Sequence, residues 1–585
     1  MKFPKIAIAA GLLLTLSLAA CSGDVTENPS DAQTEATVQT PEYPMEYTSV
    51  ESVKAGDPLL YCNDLELNSV PDPCLLPVTE EDGRVCYYLY ATGNAGYYSY
   101  NLTEWTKINN LFARPADTWQ WGFNLAPEVI YDEDLKLYLL FSWEKSKNTE
   151  FHYISVAVSA SPKGPFVQWT GVNADGLNVT ADVPVYDFSR MDKSHPLYEG
   201  VIRAIDVYPF VDPVSGDKYL YWTRGWNDGG TVKHSTSEIW GMKMKDWMTP
   251  DYSTVTRLTE VGKITPGGDK FPHSEASINE GPAVIYKDGT YYLTYSLQGL
   301  SSKGYSVWQA TSDSPLGTFT KLTKDQGGMV LGVDSHWNHA SGTGHHNFVT
   351  IGDELYIVYH SHKYREHTSS EDRAFTLDRL VWVKNAEGKA ILQANGPTWS
   401  PLPLPSAISG YENAAPAATV SASTAADQTA YLTDGILNMH EYALQPEAEF
   451  TATTTVTLSW DSYRTVGALL MYNTTFEDKC FDKIDRIEFV CRAADGSEEI
   501  RYIDNAVYNR DLYYGDLYTQ SLPDPSMAQY LPPSLFNPYN RPGAALVIRP
   551  TEEAEVKEIR ITFSVPEGQQ SVRFSEIEVL VKIQN

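Results

Sequence analysis

Three acidic residues, Asp72, Asp206 and Glu280, stand at matching places in a repeated sequence pattern. Asp72 lies in Pro71-Asp72-Pro73, Asp206 follows Ile205, and Glu280 lies in Asn279-Glu280-Gly281. Taken singly, each has an ordinary reading: a turn at Asp-Pro, a capped strand end at Asp206, a loop at Glu-Gly-Pro. Brought together, three carboxyls repel one another, and burial raises the pKa of at least one, which costs stability unless the acids are used. Cleavage of a glycosidic bond uses such a set. One carboxylic acid protonates the leaving oxygen and one carboxylate activates water or attacks. A third acid can orient the proton donor and tune its pKa.

The surrounding repeat supplies the elements that would bring these acids together. From about residue 60 to 385 one arrangement recurs five times: a Pro- or Gly-containing start, an apolar strand, an Asp/Gly-rich turn and a Tyr-rich strand. The remaining copies open at Ala126-Pro127-Glu128 and Gly344-His345-His346, so an acid or histidine falls at 72, 128, 206, 280 and 345. The turns EDG, DEDL, VSGD, KDG and GDE are hairpin signals. Repeated small sheets that cannot bury their own faces predict a β-propeller, here with five blades. The second strand of each hairpin would pack between blades, so most of the 38 tyrosines are core residues first. The innermost strands of a propeller converge on its axis, which makes neighbours of openings that lie far apart in sequence.

These openings resemble glycoside hydrolase family 43, whose members are five-bladed propellers. The resemblance rests on Asp72-Pro73, Ala126-Pro127-Glu128-Val129, Ile205-Asp206 and Glu280-Gly281-Pro282. It extends to Ser99-Tyr100-Asn101-Leu102-Thr103-Glu104-Trp105, Gly342-Thr343-Gly344-His345 and Asp378-Arg379-Leu380-Val381-Trp382, and covers about residues 50–405. It implies Asp72 as general base, Asp206 as pKa modulator and orienter, and Glu280 as general acid of an inverting reaction. It sets His345 near the axis, either beside a bound Ca2+ with waters completing the shell or hydrogen-bonded to the structure or substrate; the chemistry itself requires no cofactor. It brings Arg373 to the active site, the alternative being a surface ion pair. Trp119, Trp121 and Trp226 lie in loops after strand openings and could stack on sugar rings. Leu125 replaces a frequent Trp, and the long segments 169–200 and 227–278 would shape the mouth. The resemblance ranks α-L-arabinofuranoside first among substrates, then β-xyloside, then galactoside, in plant or host glycan. The rival class is a non-catalytic surface glycan-binding lipoprotein, against which three intact acids argue. Sialidase repeats and the fructosidase start are absent from the sequence.

The rest of the chain frames this unit. Its 585 residues are too many for one core. The net charge of −31 repels phosphate backbones and excludes nucleic acid as an expected partner. Lys2 and Lys5, the run IAIAAGLLLTLSLAA and Cys21 form a bacterial lipoprotein-like signal over 1–20. The expectation is lipid anchoring at Cys21, with outer-membrane placement in a Gram-negative envelope and no other membrane contact. Residues 21–45 read as a flexible tether, 46–405 as the propeller and 406–425 as a linker. Residues 426–585 carry short alternating strands that predict a β-sandwich; the frame LTDG…ITF…SEIEVLV resembles discoidin-like domains. The fold class is therefore all-β, a five-bladed β-propeller followed by a β-sandwich of jelly-roll or discoidin-like type, and the protein is expected to be a monomer. An exported chain permits a Cys480–Cys491 disulfide or a pair among Cys62, Cys74 and Cys86.

Overall fold

A computed structural model describes residues 40–584 except 50–52, 54, 64–66, 68, 123, 148–151, 201–202, 227–233, 334–340, 363–372, 399, 441, 444 and 509–542. The chain separates into Met1–Thr40 and Pro41–Asn585. The signal, Cys21 and the tether as far as residue 39 lie outside the described residues.

Five sheets follow one another along the chain, antiparallel except for one parallel outer pair in the second, Phe112–Ala113 with Phe166–Gln168. Their innermost strands are Cys74–Thr79, Leu125–Asp132, Ala204–Val211, Asn279–Lys287 and Ser341–Ile351. Each is followed by a hairpin partner: Val85–Ala91, Leu137–Lys145, Lys218–Arg224, Thr290–Leu297 and Glu354–His362. The turn of the fourth hairpin is two residues long, with Asp288 and Gly289 at φ 47° and 88°. A tight turn with both central residues left-handed matches the twist of the flanking strands, which is why Asp-Gly occurs there. The hairpin partners are buried on both faces. Leu293 and Tyr295 pack toward the third blade, and Tyr292 packs with Ile357 and Tyr359 of the fifth. The two ends of the propeller chain meet where Leu60–Tyr61 pairs with Leu402–Pro403.

The openings are irregular in a consistent way. Asp72, Ala126, Asp206, Gly281 and His345 all take left-handed φ, between 45° and 57°. Register shifts fall at Ile205/Tyr208, Glu280/Ala283 and Ser341/Gly344/Asn347. Such bulges re-aim side chains, here toward the axis, and left-handed non-glycine residues are a strain that surrounding contacts must hold. The second copy differs from the sequence expectation. Its opening position is Ala126, and Glu128 lies two residues further down the strand, where it accepts from Asn347 Nδ2 at 2.5 Å.

The C-terminal region is a two-layer β-sandwich. The long bent strand Thr454–Asn473 runs through both layers. Its first half pairs with Thr419–Ala422 and Ala554–Phe563, its second with Ala545–Pro550 and Val572–Lys582. Leu458, Phe489, Ile559, Phe563 and Phe574 fill the space between them. Trp460 is buried there and its indole donates to the Ala414 carbonyl, a core role as the sequence suggests.

Two boundaries need correction. Glu42–Pro44 and Tyr47–Ser49, read as the tether's end and the propeller's start, are edge strands of the sandwich, paired with Glu498–Val507 and Ala545–Pro550. The 406–425 linker also belongs to the sandwich, because Tyr411–Asn413 and Thr419–Ala422 pair with its strands. Edge strands this short bond through their backbones and leave no apolar pattern to read. Cys62, Cys74, Cys86, Cys480 and Cys491 form no disulfide among the described residues, contrary to either expected bridge.

Candidate active site

In an antiparallel blade, the start of the first strand, the end of the second and the start of the third share one end of the sheet. Asp72, Asp206, Glu280 and His345 all lie at that end, so the funnel mouth is lined by residues more than 200 apart in sequence. The structure brings together the three predicted acids with His345 and Arg373.

Asp72 is the most heavily contacted. Arg373 Nη1 donates to its Oδ1 at 2.6 Å, and the Thr92 hydroxyl donates to Oδ2 at 2.6 Å. His345 Nδ1 and His360 Nδ1 each stand 3.4 Å from Oδ1. Burial would raise the pKa of this carboxyl, but the Arg373 guanidinium and the two imidazoles outweigh it and hold the group well below the usual carboxylate range. Arg373 is buried in this pair, so the surface alternative does not apply.

The other two acids move the opposite way. Asp206 is pushed up to about 7, first by burial and then by the charges of Glu280 and Asp72, with His345 opposing. Its Oδ2 accepts from the Gly281 N–H and the Thr223 hydroxyl, both at 3.3 Å. Glu280 is also pushed up to about 7, chiefly by burial and also by Asp72; a hydrogen bond from Tyr305 and the charges of Arg373 and Arg203 work against the rise. The mouth therefore holds one firm carboxylate beside two acids that stay protonated close to neutral pH. That division permits acid and base catalysis in a single step.

The sequence did not reveal Thr92, Thr223, Ser296, Tyr305, His360 or Arg203. Most sit at the far end of a hairpin partner strand, which reads as core. The signal was register: Thr223 pairs with Ile205, Ser296 with Glu280 and His360 with Gly344, so the residue opposite each opening is a hydroxyl or an imidazole.

The tryptophans divide. Trp119 is buried and its indole donates to Gln168 Oε1 at 2.7 Å, which makes it core and removes it as a sugar platform. Trp121 is 58% exposed, with Lys145 Nζ 5.3 Å from its ring centroid, and Trp226 is 42% exposed. Both follow the mouth-side ends of blades, Trp121 beside Lys145 and Trp226 just after Arg224.

Calcium takes six to eight oxygen ligands. Among the described residues no group of three or more His, Cys, Asp or Glu is placed to hold a metal. His345 turns Nδ1 to Asp72, whose Oδ1 already carries the Arg373 guanidinium. These side chains form no calcium cage of protein oxygens by themselves; a Ca2+ beside His345 would take its remaining ligands from water.

Comparisons with known proteins point to one family. The family model "Glycosyl hydrolases family 43" matches residues 67–387. The chain is 25% identical over 325 residues to the β-D-galactofuranosidase xynD of Aspergillus niger, covering 52% of this chain and 77% of that one. It is 31% identical over 105 residues to a probable arabinan endo-1,5-α-L-arabinosidase C of Aspergillus clavatus, covering 18% of this chain and 31% of that one. Among solved structures, a thermostable family-43 glycoside hydrolase matches with 25% identity and a TM-score of 0.45, over 59% of this chain and 99% of that one.

Proposed function

The chain belongs to the glycosyl hydrolases of family 43, and from that premise we propose that it is an inverting α-L-arabinofuranosidase acting on plant polysaccharide or its oligosaccharides. The observation that carries the reading is the division of ionisation across the mouth. Asp72, as a carboxylate, takes a proton from a water whose oxygen attacks the anomeric carbon. Glu280 gives its proton to the leaving oxygen as that bond breaks. A single displacement from the opposite face inverts the configuration. The charge of Asp72 helps keep that acid protonated until the transfer, and Asp206, which accepts the Gly281 N–H next to Glu280, serves as its orienter.

The names of the two curated relatives support a furanoside. β-D-Galactofuranose and α-L-arabinofuranose share their ring configuration, and the hexose carries one extra exocyclic hydroxymethyl group. One acid/base arrangement therefore serves both, and the mouth walls choose between them; a group of that size is worth about 1–3 kcal/mol of discrimination. Exposed Trp121 and Trp226 provide stacking faces for the sugars beyond the cleaved bond. The lipoprotein-like start supports an enzyme exported and anchored through Cys21, a placement that suits a polymeric substrate outside the cell.

The test is a panel of aryl α-L-arabinofuranoside, β-D-galactofuranoside and β-D-xyloside with arabino- and xylo-oligosaccharides, the products followed by proton NMR. The expected result is L-arabinose released first as the β anomer. Release of galactofuranose or xylose alone would overturn the sugar assignment, and glycan binding without any hydrolysis would favour the binding protein.

A pH profile follows from the same charges. Activity needs Asp72 ionised and Glu280 protonated. Asp72 lies below the usual carboxylate range and Glu280 at about 7. The value of kcat/KM should be level through mildly acidic pH and fall about tenfold per unit above about pH 7. A profile rising from pH 6 to 9 would contradict the assignment of the acid.

A further inference from the structure

A line of polar groups that the proposed mechanism leaves unused ends on Glu280. The His345 main-chain N–H donates to Ser296 Oγ at 2.9 Å. The Tyr305 hydroxyl stands beside the Ser296 hydroxyl and the Glu280 carboxyl, close enough to favour the ionised form of that carboxyl. Ser296 and Glu280 are cross-strand partners, so the serine is fixed to the same strand pair as the acid. Because Ser296 Oγ receives the His345 N–H, its own hydrogen is free to go to the tyrosine oxygen. The tyrosine hydrogen then has Glu280 as its acceptor.

The Tyr305 ring is clamped. It is fully buried, and it occupies the space left by the missing side chain of Gly344, where a Cβ would collide with it. It also stacks on His360, with centroids 5.6 Å apart and planes 15° apart. His360 in turn stands beside Asp72. One rigid stack thus ties the acid to the base.

We infer that Tyr305 is a positioning residue for the general acid: by donating to one Glu280 oxygen, it leaves the acid's proton on the other, which faces the leaving group. This inference rests on the assignment of Glu280 as the acid. The charged groups that also face Glu280 are Asp72 from the first blade, Asp206 and Arg203 from the third, and Arg373 from the fifth. Tyr305→Phe alters none of them.

The experiment measures kcat and its pH dependence for Tyr305→Phe in the whole chain, on two substrates. One has a sugar leaving group, and the other has a 2,4-dinitrophenyl group that departs without a proton. The expected loss is about tenfold or more on the sugar leaving group and less than about twofold on dinitrophenyl. The alkaline limb should also move up by about one pH unit, because a hydrogen bond to the charged form lowers a pKa and its removal raises it. Ser296→Ala should act in the same direction with smaller effect, and it carries the test if Tyr305→Phe does not fold. Equal losses on both substrates with an unmoved limb would mean packing alone and overturn the inference. Glu280→Gln separates the two levels. If it remains fully active on the sugar leaving group, the acid assignment itself fails. If it is inactive there while Tyr305→Phe and Ser296→Ala match the wild type, only this inference fails.

Discussion

Glu280→Gln is expected to lower kcat on substrates with sugar leaving groups by about 10³-fold or more, the upper part of the range for loss of a general acid. Glutamine keeps the shape and accepts the Tyr305 bond but carries no transferable proton. On a dinitrophenyl substrate the same variant should retain much of its rate, since the leaving group needs no protonation. Asp72→Asn should differ. Without the carboxylate, no group takes the proton from the attacking water, so both substrates should lose activity to a similar extent. Equal, mild losses for both variants on both substrates would refute the division of roles.

The same Glu280→Gln change should stabilise the fold above about pH 4.5. Burial and the charge of Asp72 raise the Glu280 pKa from 4.5 to about 7. Between those values the folded state binds a proton that the unfolded chain does not, so stability falls as pH rises through the window. Glutamine removes that dependence. The gain in Tm should be absent at pH 4, below both values, and a few degrees, about 2 °C, at pH 8. Loss of activity with gain of stability is the pattern expected where a strained charge set is kept for function.

The openings were legible because local chemistry writes them: Asp-Pro, Ile-Asp and Glu-Gly-Pro begin an apolar strand at three of the five openings. What stands opposite them was not legible. That Thr223 faces Ile205 and Ser296 faces Glu280 depends on bulges at Ile205/Tyr208 and Glu280/Ala283, and a one-residue slip would turn both side chains to another face. Glu128 shows the same limit. Its place in the repeat matches the acids, yet Ala126 takes the left-handed opening and Glu128 falls one layer deeper. Trp119 and Trp121 are two residues apart, and contacts with Gln168 and Tyr153, far along the chain, make the first of them core. The sandwich edges at Glu42–Pro44 and Tyr411–Asn413 were invisible because three-residue strands are held by backbone bonds, to which composition is blind.

A chain ending at Pro405 is expected to yield no soluble, active propeller, although the propeller sequence would be complete. One hydrophobic cluster crosses the boundary. Leu470, Tyr472, Val547 and Leu580 of the sandwich pack with Leu60, Val349, Tyr356, Val358 and Leu377 of the propeller, all buried. Exposing such side chains costs about 2 kcal/mol each, so a handful removes about as much as the 5–15 kcal/mol net stability of a typical domain, roughly speaking. The ion pairs point the same way. Arg379 is held between Glu354 at 3.2 Å and Glu578 of the sandwich at 2.8 Å, and truncation would remove the closer partner. Arg549 forks onto Asp57 at 2.9 and 3.1 Å, and its loss would strip the segment leading into the first blade. The sandwich is thus a wall of the catalytic unit before it is anything else. Leu470→Asp in the full chain is the gentler test, because it places a charge at the centre of the shared cluster without deleting a strand. It should lower Tm steeply while leaving the pH profile of the surviving activity unchanged, since the cluster around Leu470 includes none of Asp72, Asp206, Glu280, His345 and Arg373. A chain ending at Pro405 that expressed in soluble form with full hydrolysis would show the two domains to be independent, and would return the sandwich to the role of an appended module.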